Sequence, residues 1–426
     1  MRKDLRIKNN PALQAATTNF KAAPVFIFDE KIISSCNEKT NSYWWLTNSL
    51  QTLNEEYKNL GTEINFYTGN SKKIIHELLE EASGICVNKT YEPHIDEFDE
   101  ELKKWCEKND KEFKSFPGYL LFEPAEILNK QKKPYAVFTA FWKSLSKDDY
   151  IKNDNHHIAK NFFNPEKKSE KLVAVRNEKL DSFWTPGEVA AKEKIKSFLT
   201  AKVKSYETDR DIPSKDGTSL ISAHLHFGEI TPSQILEEAI KEGVQRHFAK
   251  FYSELGWREF SYYLLHHNPQ IRTKQFRELF TSKFKWNDSK KDFQKWCEGK
   301  TGFPLVDAGM RQLNAIGWVH NRVRMVVASF LVKNLMINWQ EGAEYFFEKL
   351  VDADPANNFV AWQWVAGCGP DAAPYFRIFN PNLQADKFDP DYEYIKTWVP
   401  EFGTSKYTYA MVDFRESSKK FLAMLK

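Results

Sequence analysis

The sequence predicts two domains of different class, an α/β domain with a parallel sheet at the N-terminus and an all-α domain at the C-terminus. A chain of 426 residues is long for a single hydrophobic core. Short apolar strands alternate with amphipathic helices over residues 1–125, which is typical of a parallel sheet. Beyond residue 184 the apolar positions follow a helical period. We therefore expect domains at 1–125 and 184–426, joined by a linker at 126–183.

The elements of the N-terminal domain follow from the spacing of apolar residues. The expected strands are 24–28, 64–67 and 84–87, and the expected helices are 42–57, 97–107 and one that begins with Ser71 as its N-cap. The domain lacks a G-x-G-x-x-G sequence, so the dinucleotide-binding fingerprint is absent.

The predicted linker is polar. After a short helix at 135–145, residues 146–181 are rich in Lys, Asp and Asn without a sustained period, as in a solvated connector. The pair His156 and His157 has no Cys or acidic ligand nearby at helical spacing, so we predict no metal site there.

Composition restricts the compartment and the mode of binding. The net charge is +3, so binding to nucleic acid would need a local basic patch. The five cysteines form no C-x-x-C pair, which suits a reducing compartment. The longest apolar run, near 325–332, is too short for a membrane span, and the N-terminus has no signal pattern. We expect a cytoplasmic protein without membrane contact.

Residues 352–381 contain the densest group of chemically distinctive side chains. Pro355 breaks the segment that holds Asp352 and Asp354, which favours a loop for both acids. Trp362 and Trp364 follow on an apolar stretch. On composition alone, the simpler interpretation is a buried aromatic cluster beside a solvated acidic loop.

A second group lies on one predicted helical face. Glu254, Trp257, Arg258 and Ser261 are spaced i, i+3, i+4 and i+7, which suits either a surface ion pair beside a packed indole or a binding face. The hydroxyls at 218–222 precede a predicted helix and could bind a phosphate, although helix capping explains them equally well.

Several motifs together resemble one family. They are RKDLRIKNNPAL at 2–13, YWWLTNSL at 43–50, TSLISAHLHFGEITP at 218–232, ELGWREF at 254–260, HNRVRM at 320–325 and DADPANNFVAWQW at 352–364. The chain resembles the DNA photolyase/cryptochrome family over nearly its whole length. HNRVRM is most similar to class I cyclobutane pyrimidine dimer photolyases.

The resemblance implies that the N-terminal region is an antenna domain. In the family, the motif matched at 2–13 directly follows a first apolar strand, and Met1 stands where that strand should end. We expect the sheet to lack its first strand, which leaves the neighbouring strands without ladder partners. Either the true start lies upstream or this domain is damaged. A second chromophore, a folate or a deazaflavin, remains possible in the family, and no residue distinguishes them.

The resemblance also implies an FAD site. The implied FAD-binding residues are Tyr206, Thr218, Ser219, Leu220, Ile221, Ser222, Arg258, Arg324, Asp352, Asp354 and Asn358. Buried carboxylates need partners, so we expect an ion pair between Arg324 and Asp352. Asn358 matches the position opposite flavin N5, where photolyases carry Asn, which favours a repair enzyme.

The remaining implied roles concern DNA and electron transfer. The expected catalytic residues around the lesion are Glu254, Trp257, Asn321, Met325, Asn358 and Trp364. The expected DNA contacts are Arg210, Glu254, Trp257, Arg258, Ser261, Asn321, Arg322 and Gln384. The expected electron relay is Trp286, Trp339 and Trp362, which spacing alone would assign to the core.

The resemblance implies a monomeric carbon–carbon lyase that acts on UV-damaged DNA. In the family's mechanism, reduced FAD is excited by light and transfers an electron to a flipped-out cyclobutane pyrimidine dimer. The main alternative is a cryptochrome-type blue-light photoreceptor with the same flavin pocket. A single-strand DNA-binding protein would explain the aromatic residues and arginines, but not the paired acids with Asn358.

Overall fold

The computed structural model describes residues 1–145, 158–282, 284–372 and 374–425. His156 and His157 lie outside these residues. The chain divides into two compact units, each formed by several segments. The first unit contains Met1–Leu128, Ser144–Thr200 and Ser219–Arg246, and the second contains Asn129–Lys143, Ala201–Thr218 and His247–Lys426. The domain bounds expected from the sequence stay a prediction.

The strands of the first unit are parallel, as predicted, but they form two separate pairs. The strands are β1 (Val25–Phe28), β2 (Asn65–Thr68), β3 (Gly84–Asn88) and β4 (Glu112–Phe116). β1 pairs with β2, and β3 pairs with β4. The first three strands match their predicted bounds to within one residue. β4 was missed, because its polar and apolar residues are all partly exposed and carry little periodic signal.

Helices account for most of the remaining structure. In chain order they are α1 (Pro11–Asn19), α2 (Asn41–Asn59), α3 (Ser71–Glu81), α4 (Pro93–Lys108), α5 (Phe138–Ser144), α6 (Glu178–Phe183), α7 (Glu188–Ala201), α8 (Tyr206–Asp209), α9 (Ser222–His226), α10 (Pro232–Lys241), α11 (Gln245–His267), α12 (Lys290–Cys297), α13 (Pro304–Ile316), α14 (Asn321–Ser329), α15 (Trp339–Lys349), α16 (Pro355–Ala366), α17 (Pro381–Phe388), α18 (Glu393–Trp398) and α19 (Phe414–Met424). Among the described residues, no helix is long and apolar enough to cross a membrane.

Local chemistry explains two differences between the expected and the observed helix starts. The N-cap of α3 is Asn70, whose side chain accepts the Lys73 amide at 2.9 Å, so the predicted cap Ser71 was wrong by one residue. α4 starts at Pro93, four residues before the predicted start, because proline fits the first helical position.

The second unit contains a large apolar core over residues 280–421. Trp296, Trp339 and Trp362 are all buried in it. Gly342 of α15 lies so close to α16 that an added Cβ would collide with the Trp362 ring. This close packing fixes α16, which carries many of the predicted site residues, against α15.

Candidate functional site

The two acids of the signature segment lie at the start of α16 and are buried. Asp354 is the N-cap: it accepts the Asn357 amide at 2.8 Å and the Tyr262 hydroxyl at 2.6 Å. Asp352 is 7% exposed and pairs with Arg324 at 3.1 Å. The predicted ion pair is therefore present, and the predicted loop position of both acids agrees with a helix that begins at Pro355.

The side chains around these acids are held in place by backbone groups. Arg324 donates its Nε to the Val319 carbonyl at 2.7 Å, which orients the guanidinium toward Asp352. Asn358 lies one helical turn after Asp354 and donates its amide to the Ala343 carbonyl at 2.9 Å. This hydrogen bond to α15 fixes the orientation of the buried Asn358 side chain.

These residues fit a flavin. Ionised carboxylates are acceptors only, and each oxygen can accept more than one hydrogen bond, so Asp352 and Asp354 keep capacity for N–H donors of a ring. Arg324 balances part of their charge, which a buried acidic pair requires.

The predicted phosphate-binding residues are assigned to both units. Tyr206 and Thr218 belong to the second unit, whereas 219–222 belong to the first. Leu220 has a φ of 51°, in the left-handed region, and Ser222 is the first residue of α9. Their role toward FAD stays a prediction.

The predicted lesion-binding face lies on α11. Glu254 forms an ion pair with Arg210, a second predicted DNA contact, and Lys250 lies 3.5 Å from the same carboxylate. Arg258 is buried and stands over the Tyr262 ring at 5.1 Å. Ser261 is also buried and donates its hydroxyl to the Trp257 carbonyl at 3.0 Å.

Trp257 is supported by an aromatic residue that the sequence analysis missed. The Phe138 ring of α5 stacks on Trp257 with 3.9 Å between ring centroids and 14° between planes. The Trp142 ring is nearly parallel to the Phe138 ring, with 6.0 Å between the ring centroids. The Phe138 amide donates to Asp371 at 3.2 Å. The i, i+4 aromatic spacing within FTAFW was the only available signal.

Two other predicted DNA contacts line one cavity of about 480 Å³ in the second unit. Arg322 and Gln384 share it with Arg377 and Lys387, which were not predicted. Arg322 also pairs with Asp211 at 2.7 Å. Among the described residues, the buried Oε1 atom of Gln384 has no hydrogen-bond partner. The lining carries three cationic side chains beside the carboxylate of Asp211, so the cationic side of the cavity suits anionic groups of a polar ligand.

The remaining predicted residues lie on α14 and α16. Asn321 is exposed at the start of α14, where the ring of His320 accepts the Arg322 amide at 3.2 Å. Met325 and Trp364 are partly buried and pack against the apolar core of the second unit.

The three tryptophans expected to form the electron relay belong to that same core, and their role in electron transfer stays a prediction. Trp339 and Trp362 are buried, and Trp286 is partly buried at its edge. A fourth indole, the fully buried Trp296, lies 6.2 Å from the Trp362 ring and was not predicted. Only the three-dimensional contact identifies it, because the sequence around it matches none of the motifs.

Fold and site together define a flavoprotein with an α/β N-terminal region and a helical cofactor domain. Residues 1–159 match the family model described as DNA photolyase, and residues 251–426 match the FAD-binding domain of DNA photolyase. The chain belongs to the DNA photolyase/cryptochrome family. FAD is therefore its cofactor, and the expectation of a family enzyme is confirmed.

Three relatives illustrate the similarity. A deoxyribodipyrimidine photo-lyase of Agrobacterium fabrum is 40% identical over 94% of this chain and 86% of its own length. The crystal structure of a bacterial class III photolyase from Agrobacterium tumefaciens covers 100% of this chain and 95% of its own, with 36% identity and a TM-score of 0.92. Cryptochrome-1 of Arabidopsis thaliana is 32% identical over 94% of this chain and 62% of its own length. The class I subgroup stays a prediction.

Proposed function

We propose that the chain uses light and FAD to repair cyclobutane pyrimidine dimers in UV-damaged DNA, as a monomer. The observation that carries this proposal is the ion pair between Arg210 and Glu254, beside Trp257. It joins Arg210, the residue that follows α8, to Glu254 of α11, and Trp257 lies three residues after Glu254 on the same helix. The name and similarity of the Agrobacterium fabrum relative support the same substrate.

The two indoles would offset the cost of extracting the dimer from the duplex. Flipping costs a few kcal/mol, and base stacking on an aromatic ring contributes about 1–3 kcal/mol per base. Trp257 has one face covered by Phe138, so its plane is fixed before DNA binds. We assign Trp364 to the opposite wall of the pocket.

Polar side chains would bind the lesion and its backbone. Glu254 exchanges part of its pairing with Arg210 for hydrogen bonds to the dimer, and the exposed Asn321 adds an amide. Arg322, with Gln384 in the 480 Å³ cavity, contacts phosphates without reading sequence. Binding would therefore depend strongly on salt but weakly on sequence context.

The flavin edge would be held by Asp352, Asp354 and Asn358. FAD bound there in its reduced form would supply light-driven one-electron chemistry for opening the cyclobutane ring. The chain's own residues position this edge: Arg324 holds Asp352 in place through the ion pair, and the Ala343 carbonyl orients the Asn358 amide. Burial excludes water from this edge.

Repair of a defined oligonucleotide tests the proposal. A strand with one thymine cyclobutane dimer is incubated with reduced, FAD-loaded protein in blue light or in the dark, and restored thymines are quantified. We expect light-dependent repair that Glu254→Gln reduces, while the matched surface variant Glu298→Gln leaves it unchanged. No restored thymine after illumination of protein that holds reduced flavin would overturn the proposal and favour the photoreceptor.

A further inference from the structure

A short π-helical turn, Phe330–Asn334, follows α14 in the second unit and carries a fully buried lysine. The turn is closed by an i→i+5 hydrogen bond, in which the Leu335 amide donates to the Phe330 carbonyl at 3.0 Å. Lys333 lies in this turn and is 0% exposed. Turns of this kind are frequent at functional sites, and a lysine is almost never fully buried unless its ammonium has a partner.

The partner of the Lys333 ammonium is a backbone carbonyl rather than an acid. The ammonium donates to the Arg377 carbonyl at 2.9 Å, and among the described residues no carboxylate pairs with it. Four residues earlier, the Ser329 hydroxyl accepts the Phe379 amide at 3.2 Å. These two side chains therefore bind the backbone of Arg377 and Phe379 and hold this segment in place.

The held segment presents a cation to the cavity of about 480 Å³. The exposed Arg377 lines this cavity, and its guanidinium carbon lies 5.2 Å from the centre of the Phe379 ring. Arg322 and Lys387 supply the other positive charges, but Arg322 is already paired with Asp211 at 2.7 Å. Within the described ranges, Arg377 has no carboxylate partner, so it can bind an anion without first breaking an ion pair.

The charge of Lys333 also acts on the Arg377 side chain. Among the described residues, the titratable or charged groups that act on the ammonium are the Cys368 thiol and the Arg377 guanidinium. Burial raises the pKa of that thiol to about 12, so the thiol is neutral near pH 7. Helices α14, α15 and α19 also pack against the turn and contribute no further group of this kind. Repulsion between like charges therefore favours a guanidinium that points away from Lys333.

We propose that Lys333 is a positioning residue for DNA binding: its ammonium holds the Arg377 carbonyl and thereby keeps the Arg377 guanidinium in the cavity for a DNA phosphate. The inference rests on the proposed function, because the ligand is the backbone of the DNA substrate. A held side chain loses less conformational freedom when the phosphate binds, which favours affinity.

The position of Lys333 makes this role dependent on pH. Burial lowers the pKa of its ammonium to about 8, and the positive charge of Arg377 adds to this effect. A neutral amine donates a weaker hydrogen bond to the carbonyl than an ammonium does, and it does not repel the guanidinium. The affinity for DNA should therefore be highest while Lys333 is protonated and should fall as the pH rises from 7 to 9.

A pH titration of DNA affinity tests the proposal. Fluorescence anisotropy of a labelled, dimer-containing oligonucleotide is measured with the FAD-loaded chain between pH 7 and pH 9, where DNA phosphates keep their charge. We expect the native affinity to fall by about fivefold, and Lys333→Met to bind about fivefold more weakly at pH 7 without a further fall. The control Lys396→Met removes an exposed ammonium that donates to the Asp391 carbonyl, and it should match the native profile.

A second variant separates positioning from a general structural loss. Arg377→Gln should weaken binding and remove the pH dependence, and adding Lys333→Met to it should cause little further loss, because both changes act through one guanidinium. Additive losses, or a native-like pH profile in Lys333→Met, would overturn the proposal. If Lys333→Met does not fold, Arg377→Gln decides the question: a fall in affinity as steep as that of the native chain would overturn the proposal.

The titration measures binding and not repair, so the two conclusions can fail separately. Binding that depends on pH through Lys333 and Arg377, without restored thymines, would overturn the repair activity and support the role of Lys333. Restored thymines with binding that is insensitive to Lys333 would do the reverse. A native chain that binds no DNA would overturn both.

Discussion

The acidic pair of the second unit and the cleft of the first unit handle buried polar groups in opposite ways. Asp352 and Asp354 each have a charged or hydroxyl partner supplied by a neighbouring helix. The strands β1 and β3 instead line an apolar cleft of about 570 Å³, and among the described residues each strand belongs to a two-stranded ladder. The comparison teaches that the second unit satisfies these polar groups with side chains, whereas the first unit relies on backbone ladders beside its cleft.

Removing Arg324 should break the internal pairing of the second unit. Arg324→Ala leaves Asp352 as an uncompensated buried carboxylate, so we expect a loss of about 3 kcal/mol in unfolding free energy, with loss of flavin. Denaturant unfolding and flavin absorbance measure these effects. The control Arg311→Ala breaks a more exposed pair with Glu401 and should cost about 1 kcal/mol or less. Equal losses in both variants would contradict the assigned role.

Adding one methyl group should disturb the core that supports α16. Gly342→Ala forces its Cβ into the Trp362 ring, and overpacking of this kind costs about 2 kcal/mol. Thermal unfolding measures the cost, and a changed near-UV circular dichroism signal would report the displaced indole. A variant as stable as the native chain would show that α15 and α16 are less closely packed than described.

Removing the fixed indole should weaken binding of the lesion while the fold is retained. Trp257→Ala should lower affinity for a dimer-containing oligonucleotide by about tenfold, because one stacking surface is lost. Phe138→Leu should cause a smaller loss, since Trp257 keeps its ring but loses its support. Fluorescence anisotropy of the labelled oligonucleotide measures the affinity of both variants. Trp105→Ala, which removes an indole stacked on His76 in the first unit, is the control and should bind normally.

The smallest effect should come from acid titration of His320. Burial lowers the pKa of its ring to about 4, whereas the unfolded side chain has a pKa near 6.5. The unfolded chain therefore binds more protons in this window, and stability falls as the pH drops from about 6.5 toward 4.

His320→Gln should remove this contribution. Its unfolding free energy should decline less steeply, by about 1 kcal/mol between pH 6.5 and pH 5.5, than that of the native chain. The exposed His247, changed to Gln, serves as the control for the substitution itself. Identical slopes for all three proteins would show that another group causes the acid sensitivity.

The sequence predicted local structure well and distant contacts poorly. Three strands and the long helix at 41–59 followed from apolar periodicity, and the pair Arg324–Asp352 followed from the need to compensate a buried charge. The division into two strand pairs depends on hydrogen bonds between segments far apart in sequence, which periodicity does not encode.

The candidate site shows the same limit. Phe138 lies more than one hundred residues before Trp257, and its support for that indole is visible only in three dimensions. Arg377 and Lys387 join Arg322 only because the chain folds back around one cavity. The roles expected at the lesion came from the resemblance to a family, because side-chain spacing alone equally allowed an ordinary core.

The most direct test of the central account counts repaired dimers per flavin. Reduced protein is mixed under anaerobic conditions with an excess of a dimer-containing oligonucleotide and exposed to a series of light flashes, and both intact thymines and flavin redox state are measured. We predict that several dimers are repaired by each flavin while the flavin stays reduced. Repair of none, with the flavin bound and excited, would contradict the account.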